Sequence, residues 1–335
     1  MGKFPICVKI GLITIGSAAA IGLAVHFYRN RQKKQSEKSK SRTIPTNWKV
    51  VGEITELFCF PIKSCGVVRL KEIDCSLLGF QENFLRDRVF MVVDSNGNFV
   101  TARQQPQLVR IFPTIQGKIL RLSASGMLDI EISIENILKK AKRLGKVWGQ
   151  EVEVIDCGDD VAKWISRFIL KKDEGLHLVY YPSYSPTRPV RENNKSFPEL
   201  DYDHVGALHD ATSYMMINES SITELNSRLD NPVTPMHFRP NFLVKGPPAF
   251  AEDDFQWVRI GENTIFKAVK PCTRCIFTTV DPETGVKDPL GEPLKTLKSY
   301  RLFPGLGSSP VMGLHLGVIQ SGNVKVGDAV YIGKS

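Results

Sequence analysis

The sequence predicts a β-rich α+β protein that is preceded by one transmembrane helix. Short runs of β-branched and aromatic residues follow one another between residues 50 and 332, and most are separated by Gly, Asn, Asp or Pro. Segments with helical periodicity are fewer, which favours a barrel or sandwich. An uncharged run at residues 10–28 precedes them all. With 335 residues and 42% apolar content, the chain allows an anchor plus one large or two smaller domains.

The first 45 residues have the composition of a membrane anchor followed by a basic tether. Residues 10–28 are long enough to span a bilayer as a helix. Seven basic residues follow within residues 29–42. A cleaved signal peptide is the alternative, but a strongly basic segment directly after the apolar run keeps that side in the cytosol. The prediction is a single signal anchor, with the rest of the chain facing the cytosol.

The net charge of +9 is concentrated in this leader, because residues 1–45 hold nine basic residues and one acidic residue. The remaining chain carries only +1, which argues against nucleic acid as a partner. The seven cysteines form no regular framework, so the sequence fits a reducing compartment better than secretion.

Two domains are predicted after the anchor and tether of residues 1–45. Residues 48–180 form an α+β unit and residues 185–335 a β-rich unit, with a Pro-rich boundary at 182–189. A helix is predicted from a cap at Asp160 to Gly175, and a second behind a capping box of Ser221 and Glu224. The run 134–144 is ambiguous. Strands are predicted at 50–60, 89–93, 152–155, 215–217, 241–244, 264–269, 275–280 and 324–332.

Two thiols stand after a predicted strand, in the sequence Cys272-Thr273-Arg274-Cys275. A structural zinc site needs four protein ligands, and the sequence offers no second Cys-x-x-Cys pair. A thioredoxin-type pair opens a helix, whereas the β-forming residues after Cys275 predict that it opens a strand. Because a neighbouring cation favours the thiolate, Cys275 is a candidate ligand for a soft metal. The alternative is a buried pair packed as small apolar residues.

Several polar residues predict a site for an anion. Arg239 and Asn241 lie two residues apart in a segment expected to be extended, so both side chains can point to one side. The loop after the first strand offers the ammonium of Lys63, the hydroxyl of Ser64 and backbone amides. Further donors stand near other strand ends, at Arg88 and Arg103.

Five segments together resemble the MOSC family. They are residues 61–65 (Pro-Ile-Lys-Ser-Cys), 85–88 (Leu-Arg-Asp-Arg), 101–104 (Thr-Ala-Arg-Gln), 238–241 (Phe-Arg-Pro-Asn) and 272–282, which opens with the two cysteines. Within that family the chain is similar to the mitochondrial amidoxime reducing components from about residue 50 to residue 332, and its basic leader with an apolar anchor matches them too. The resemblance implies a MOSC-type β-barrel domain behind an N-terminal α+β MOSC-N domain.

The resemblance also implies a molybdenum cofactor, in which molybdopterin carries the metal. Cys275 would ligate molybdenum, and Cys272 is not expected to be a ligand. Asp210 matches an acidic position near the metal and is the second candidate catalytic residue. The chain departs from its relatives at His315, where they carry Tyr, and at Ser213, where they usually have Pro. The residues that match cofactor contacts are Lys63, Ser64, Arg88, Ala211, Thr212, Arg239, Asn241, Thr273, Arg274, Cys275 and His315.

The implied reaction is the reduction of N-hydroxylated compounds, such as amidoximes, hydroxylamines and N-hydroxyguanidines, to amidines or amines. The sequence has no Gly-x-Gly-x-x-Gly turn for a dinucleotide and no Cys-x-x-Cys-His for covalent haem, so electrons must come from a partner. The resemblance implies cytochrome b5 and NADH-cytochrome b5 reductase as donors. It places the enzyme in the outer mitochondrial membrane, with the catalytic part facing the cytosol.

Three other functions compete with this reading. A molybdenum cofactor sulfurase also contains a MOSC part, but it usually carries a pyridoxal-phosphate domain for which this chain has no room. A membrane-tethered carrier would bind the cofactor and pass it on without N-reductive turnover. An anchored β-rich adaptor would simply pack its cysteines, and the anion-binding residues argue against it.

Overall fold

The computed structural model describes residues 43–334 and confirms a β-rich α+β protein. Its helices are α1 (Ile134–Leu138), α2 (Asp159–Leu170), α3 (Glu219–Asn226) and α4 (Leu294–Tyr300). Its strands are β1 (Lys49–Cys59), β2 (Val68–Leu70), β3 (Glu72–Ser76), β4 (Gly79–Glu82), β5 (Leu85–Arg86), β6 (Phe90–Asp94), β7 (Phe99–Val100), β8 (Phe112–Gln116), β9 (Ile119–Ser123), β10 (Ile130–Ser133), β11 (Lys142–Val147), β12 (Gln150–Asp156), β13 (Leu176–Tyr180), β14 (Tyr214–Asn218), β15 (Phe242–Lys245), β16 (Trp257–Ile260), β17 (Thr264–Thr273), β18 (Val311–Gln320), β19 (Gly322–Lys325) and β20 (Ala329–Gly333).

The largest sheet closes into a barrel. Its strand order is β15-β14-β18-β17-β16-β20-β1-β2, and β1 pairs with β15 as well as with β20. Leu57 of β1 lies opposite Phe242 of β15, so the first strand completes a ring whose other members follow residue 213. Tyr214, Phe242 and Phe266 fill the interior, and the ring centroids of the last two lie 5.3 Å apart. This packed barrel is the rigid support for the segments that leave its strands.

Three smaller sheets lie beside the barrel. Their strand orders are β11-β12-β13-β6-β7, β10-β9-β8 and β19-β3-β4-β5. Helix α2 contacts β13 and buries Val161, Trp164, Ile165 and Phe168 on one face, as its helical spacing predicts. The pairing of β19 with β3 joins two parts of the chain that are far apart in sequence. The division into domains at 182–189 stays a prediction.

One predicted strand is wrong. Residues 276–279 form a 3-10 helix, Ile276–Thr279, and Cys275 is the residue before its first turn. The reason is local: the Thr278 hydroxyl donates to the Cys275 carbonyl at 3.0 Å, and the Thr279 hydroxyl to the Ile276 carbonyl at 2.8 Å. These bonds three residues back favour a helical turn over the extended form that β-branched residues otherwise prefer. The run 324–332 is also divided, because a turn at Gly327 (φ 91°) separates β19 from β20.

The helix ends differ from the predicted caps. Helix α2 starts at Asp159, directly after a turn in which the Asp156 carboxylate accepts the Gly158 amide at 2.8 Å. It ends at Leu170, because the next residue, Lys171, adopts the left-handed conformation. The ambiguous run at 134–144 is divided between α1 and β11.

The predicted capping box of α3 is also wrong. Asn218 caps this helix by accepting the Ser220 amide at 3.1 Å. Ser221 is buried one turn further on, where its hydroxyl donates to Glu252 at 2.8 Å.

No helix within residues 43–334 is long and apolar enough to cross a bilayer. The predicted anchor at residues 10–28 lies outside the described residues.

Candidate functional site

All twelve residues predicted for the site line one cleft with a cavity volume of about 160 Å³. They belong to segments that follow β1 or β17, connect β5 with β6, or precede β14 or β15, or they lie within β17 or β18. Distant parts of the sequence therefore converge on one place, although this convergence does not test the role of each residue. The twelve are Lys63, Ser64, Arg88, Asp210, Ala211, Thr212, Arg239, Asn241, Thr273, Arg274, Cys275 and His315.

The two neighbouring thiols have different environments. Cys275 is exposed, whereas the other five cysteines of the described part of the chain are buried. Cys272 is only 6% exposed and packs in a cluster with Met215, Ile217 and Met312. Burial raises the pKa of the Cys272 thiol, which disfavours the thiolate that a metal would need. Of this pair, Cys275 is therefore the accessible ligand.

A buried carboxylate, Asp87, holds several site residues in place. The Phe60 amide donates to its Oδ1 at 2.7 Å, while the Asn241 amide and His209 Nε2 both lie 3.0 Å from its Oδ2. Arg88 forms an ion pair with the same carboxylate. Burial alone would raise the pKa of Asp87, but the Arg88 charge and the His209 and Phe60 hydrogen bonds hold it well below the usual range. Asp87 was not among the predicted site residues, although an acid between two arginines was a visible signal.

Two arginines stack on one aromatic ring at the base of the cleft. The guanidinium of Arg239 lies 4.0 Å from the centroid of Phe60, and that of Arg88 lies 4.7 Å from it. Arg239 Nη1 donates to the Cys65 carbonyl at 2.7 Å, but its Nη2 is buried without a hydrogen-bond partner in the described chain. Burial and the neighbouring Arg88 cation lower the pKa of Arg239 to about 9. An unsatisfied buried cationic donor fits an anionic ligand that completes it.

Three cleft residues have left-handed backbone conformations. They are Ser64 (φ 68°), Arg88 (φ 49°) and Arg239 (φ 54°). Each such non-glycine residue costs roughly 1–3 kcal/mol and persists where the surrounding structure holds it. The 238–241 segment is thus bent, contrary to the predicted extended form. Asn241 is 1% exposed, and its amide bonds the Phe58 carbonyl as well as Asp87, so it supports the cleft from within.

Asp210 is held in a clamp at the mouth of the cleft. Trp148 Nε1 donates to its carboxylate at 2.8 Å, and Lys63 forms an ion pair with it. The indole lies between two guanidinium groups, with Arg103 at 4.3 Å and Arg191 at 4.0 Å from the ring centroid. Desolvation raises the pKa of Asp210, but Lys63, Arg103 and the Trp148 hydrogen bond outweigh it and lower the pKa well below the usual range. Asp210 is therefore an ionised acceptor at neutral pH.

The ammonium of Lys63 reaches deeper into the same cleft. It donates to the Leu208 carbonyl at 2.9 Å and pairs with Asp210, which leaves one of its three protons for a ligand. Burial lowers the pKa of Lys63 to about 8, against the opposing charge of Asp210, so the group stays mostly cationic at neutral pH.

The remaining wall is held by main-chain contacts. Arg274 Nε donates to the Met312 carbonyl at 2.7 Å and its Nη1 to the Phe238 carbonyl at 2.9 Å, so this guanidinium braces the cleft. His315 Nδ1 lies 2.7 Å from the Thr212 hydroxyl. Burial and the nearby cations of Lys270 and Arg274 lower the pKa of His315 well below its ordinary value, so the ring is neutral at pH 7.

Sequence reasoning missed other members of the cleft wall. Thr101 and Arg103 belong to the 101–104 segment, but the family resemblance does not assign them to the site. The hydrophobic members cannot be recognised in the sequence because they resemble core residues. The further lining residues are Thr101, Arg103, His209, Met215, His237, Phe238, Cys272, Phe277 and Thr278.

The charges of the cleft wall favour an anion next to an accessible thiol. Five lining side chains are cationic (Lys63, Arg88, Arg103, Arg239 and Arg274), and Asp210 is the one carboxylate among the lining residues. Since a thiolate binds soft metals and cationic donors bind phosphate, the arrangement can hold a metal whose organic carrier is anionic.

Two family models match the chain. Residues 51–172 match the MOSC N-terminal beta barrel domain, and residues 201–331 match the MOSC domain. The chain belongs to the MOSC family. Among its MOSC relatives are the mitochondrial amidoxime reducing components, which are 34–38% identical over at least 84% of this chain.

Three of these MOSC relatives illustrate the similarity. Mitochondrial amidoxime reducing component 2 of Bos taurus is 38% identical over 84% of this chain and 83% of its own length. Component 1 of Homo sapiens is 38% identical over the same shares, and component 1 of Mus musculus is 35% identical over 96% of this chain and 92% of its own. A solved structure, the YUAD protein of Bacillus subtilis, covers 86% of this MOSC chain and all of its own at 11% identity and a TM-score of 0.36.

Proposed function

We propose that the protein is a molybdenum cofactor-dependent reductase of N-hydroxylated compounds. The observation that carries the proposal is the one exposed cysteine of the described chain, Cys275, at the rim of a cleft lined by five cationic side chains. Relatives named for amidoxime reduction are similar over most of the chain. The substrates would be amidoximes, hydroxylamines and N-hydroxyguanidines.

The cleft residues fit the cofactor that this function needs. The unsatisfied Nη2 of Arg239 and the free proton of Lys63 would bind its phosphate, and Cys275 would provide the protein thiolate to the metal. When bound, the molybdenum cofactor supplies two-electron redox chemistry coupled to exchange of an oxygen ligand. The remaining candidates for contact are Ser64, Arg88, Ala211 through its backbone, Thr212, Asn241, Thr273, Arg274 and His315.

The proposed reaction balances with a two-electron donor. The N–O bond of the substrate breaks, two electrons and two protons are taken up, and the oxygen leaves as water. Since the reaction consumes electrons, the chain needs a reducing partner, and we propose cytochrome b5 with NADH-cytochrome b5 reductase. An enzyme anchored by residues 10–28 in the outer mitochondrial membrane, facing the cytosol, would share a surface with anchored donors, which raises their effective concentration.

Asp210 is proposed to position the cofactor site. A carboxylate with a strongly lowered pKa is ionised at neutral pH and therefore has no proton to give. Its bonds to Trp148 and Lys63 fix the ammonium that faces the cleft. Protons would come from solvent, which the open cleft admits.

The test is the molybdenum and pterin content of the protein, purified from a host that makes the cofactor. The wild type should hold close to one molybdenum per chain and reduce benzamidoxime when a donor is supplied. Cys275→Ser should abolish turnover and weaken metal retention, because the accessible thiolate is lost. Cys272→Ser is the matched control, and it should keep much of both.

Two outcomes would contradict the proposal. Equal loss of metal from the two cysteine variants would reject Cys275 as the single protein ligand. A protein that retains the cofactor but does not reduce any N-hydroxylated substrate with a competent donor would be a carrier.

A further inference from the structure

A second cavity also borders Cys275. It has a volume of about 820 Å³ and shares Arg274 and Cys275 with the cationic cleft. We call it the Cys275 groove and define it by Ile276, Leu290, Lys295 and Lys298, which line it together with Cys275. Pockets of roughly 300–1,000 Å³ are typical of small-molecule sites. The thiol proposed to hold the metal thus lies between a cationic cleft and a space of the right size for a substrate.

The walls of the groove combine apolar and cationic surface. Ile276 is 50% exposed and Leu290 is 68% exposed, so both offer apolar area that a ligand can cover. Lys295 and Lys298 lie three residues apart on α4, which places both on one face of that helix. Neither lysine side chain forms an ion pair or hydrogen bond with the described residues of the chain. Their charges are therefore available to a ligand.

The acidic residue of the groove is already engaged. Asp288 Oδ1 accepts the amides of Leu290 and Glu292, each at 2.9 Å, which closes the loop before α4. Besides Arg274, Lys295 and Lys298, Lys287 adds a fourth cation, whose ammonium donates to the Arg103 carbonyl at 2.9 Å. The groove is therefore net cationic, so it favours a ligand that carries a negative charge beside an apolar body.

We infer that the Cys275 groove binds the organic part of the substrate and selects N-hydroxylated compounds that carry an anionic group away from the N–OH function. This inference rests on the proposed reductase function and specifies its substrate class. The N–OH group would face Cys275, the apolar body would cover Ile276 and Leu290, and a carboxylate would meet Lys295 and Lys298. A concave pocket with apolar walls suits a small molecule better than the flat surface of a protein partner.

The experiment compares a neutral and an anionic ligand pair on the cofactor-loaded enzyme. Binding of benzamidoxime, which is neutral, and para-carboxybenzamidoxime, which is anionic, is measured by calorimetry without an electron donor, and turnover of the same two amidoximes is measured with the donor. The variant is Lys295→Gln with Lys298→Gln. The control is Lys245→Gln with Lys325→Gln, which removes the same charge from exposed lysines that line neither cavity.

The wild type should bind the carboxylated amidoxime about fivefold more tightly than the neutral one, a preference that exposed ion pairs can supply. The same preference should appear in kcat/KM. The groove variant should lose it, the control variant should keep it, and high salt should abolish it in the wild type.

Equal preference in the groove variant and the wild type would overturn the inference. The inference would also be overturned if the groove variant had a higher KM for the electron donor and lower turnover of both amidoximes in the same proportion. That result would assign the two lysines to binding of the donor. If neither amidoxime were reduced, the proposed reaction would fail, and the calorimetry would still decide whether the groove selects anions.

Discussion

The two cavities that meet at Cys275 differ in how firmly their side chains are held. In the cationic cleft, the carboxylate of Asp87 is 0% exposed and binds three side chains and one amide. In the Cys275 groove, Leu290 is 68% exposed and Lys295 and Lys298 extend into solvent. A preorganised wall suits a tightly retained cofactor, while an open wall suits substrates that must enter and leave. The firmly held cleft thus suits a ligand that stays bound, and the open groove suits one that exchanges during turnover.

Asp87→Ala is expected to have the largest effect on stability. Removing one partner of a buried ion pair costs about 3–5 kcal/mol, because Arg88 and its neighbours are left unpaired. Urea denaturation measures the loss. The control is Asp173→Ala, which breaks an exposed ion pair with Arg167 and should cost at most about 1 kcal/mol. Similar losses in the two variants would show that the cleft is not preorganised by Asp87.

The dependence of stability on pH should report the buried ring of His209. Burial lowers the pKa of His209 to about 4, below the ordinary value of 6.5. The unfolded chain therefore takes up this proton at a higher pH than the folded chain does. The neutral ring of His209 therefore contributes about 3 kcal/mol to the free energy of unfolding. This contribution is complete above pH 6.5 and is lost as the pH falls from 6.5 through about 4. Denaturation from pH 7 to pH 4 should show a shallower slope for His209→Gln, and an unchanged slope would contradict this assignment.

Trp148→Phe should have an intermediate effect on the mouth of the cleft. Phenylalanine keeps a ring between Arg103 and Arg191 but loses the donor to Asp210, so we expect a loss of about 1 kcal/mol and a higher pKa of Asp210. Carbon NMR of the carboxyl group measures the titration. Trp164→Phe is the control, since its indole donates to the Leu128 carbonyl at 2.6 Å and not to a cleft residue. An Asp210 titration that shifts equally in both variants would reject the clamp.

The smallest effect on stability is expected in the groove. Lys295→Gln with Lys298→Gln removes charges that have no partner in the described chain, so the free energy of unfolding should change by less than about 0.5 kcal/mol. Thermal denaturation at low and high salt measures this change. A larger loss would mean that the two lysines serve the fold.

The sequence was sufficient to predict most of the segments that line the cationic cleft. Polar residues at the ends of apolar runs, such as Lys63 after β1 and Arg239 before β15, can be read from the sequence, and it is their combination that indicates an anion site. Their convergence depends on barrel closure, which pairs β1 with β15 across most of the chain. Apart from the family resemblance, no feature of the sequence indicates that β1 pairs with β15.

The remaining features depend on contacts that no local pattern encodes. Cys275 was expected to open a strand, yet two threonine hydroxyls close a helical turn after it. Trp148 lies in the turn between β11 and β12, more than sixty residues before Asp210, so only the tertiary fold reveals their hydrogen bond. Asp87 belongs to the Leu-Arg-Asp-Arg segment at 85–88, but only its burial in the fold shows that it holds the cleft residues in place and does not itself face a ligand.

The order of synthesis also sets the time at which the barrel can close. Lys49 of β1 lies opposite Ile332 of β20, so these two strands cannot pair until β20 has been synthesised. At roughly 5–20 residues per second, the ribosome needs about 15–60 s to make the chain between them. During this interval the part of β1 that pairs with β20 has no partner, and an unpaired strand edge is a template for wrong pairing. Nascent chains of this protein should therefore depend on chaperones that shield β-strands until β20 has left the ribosome.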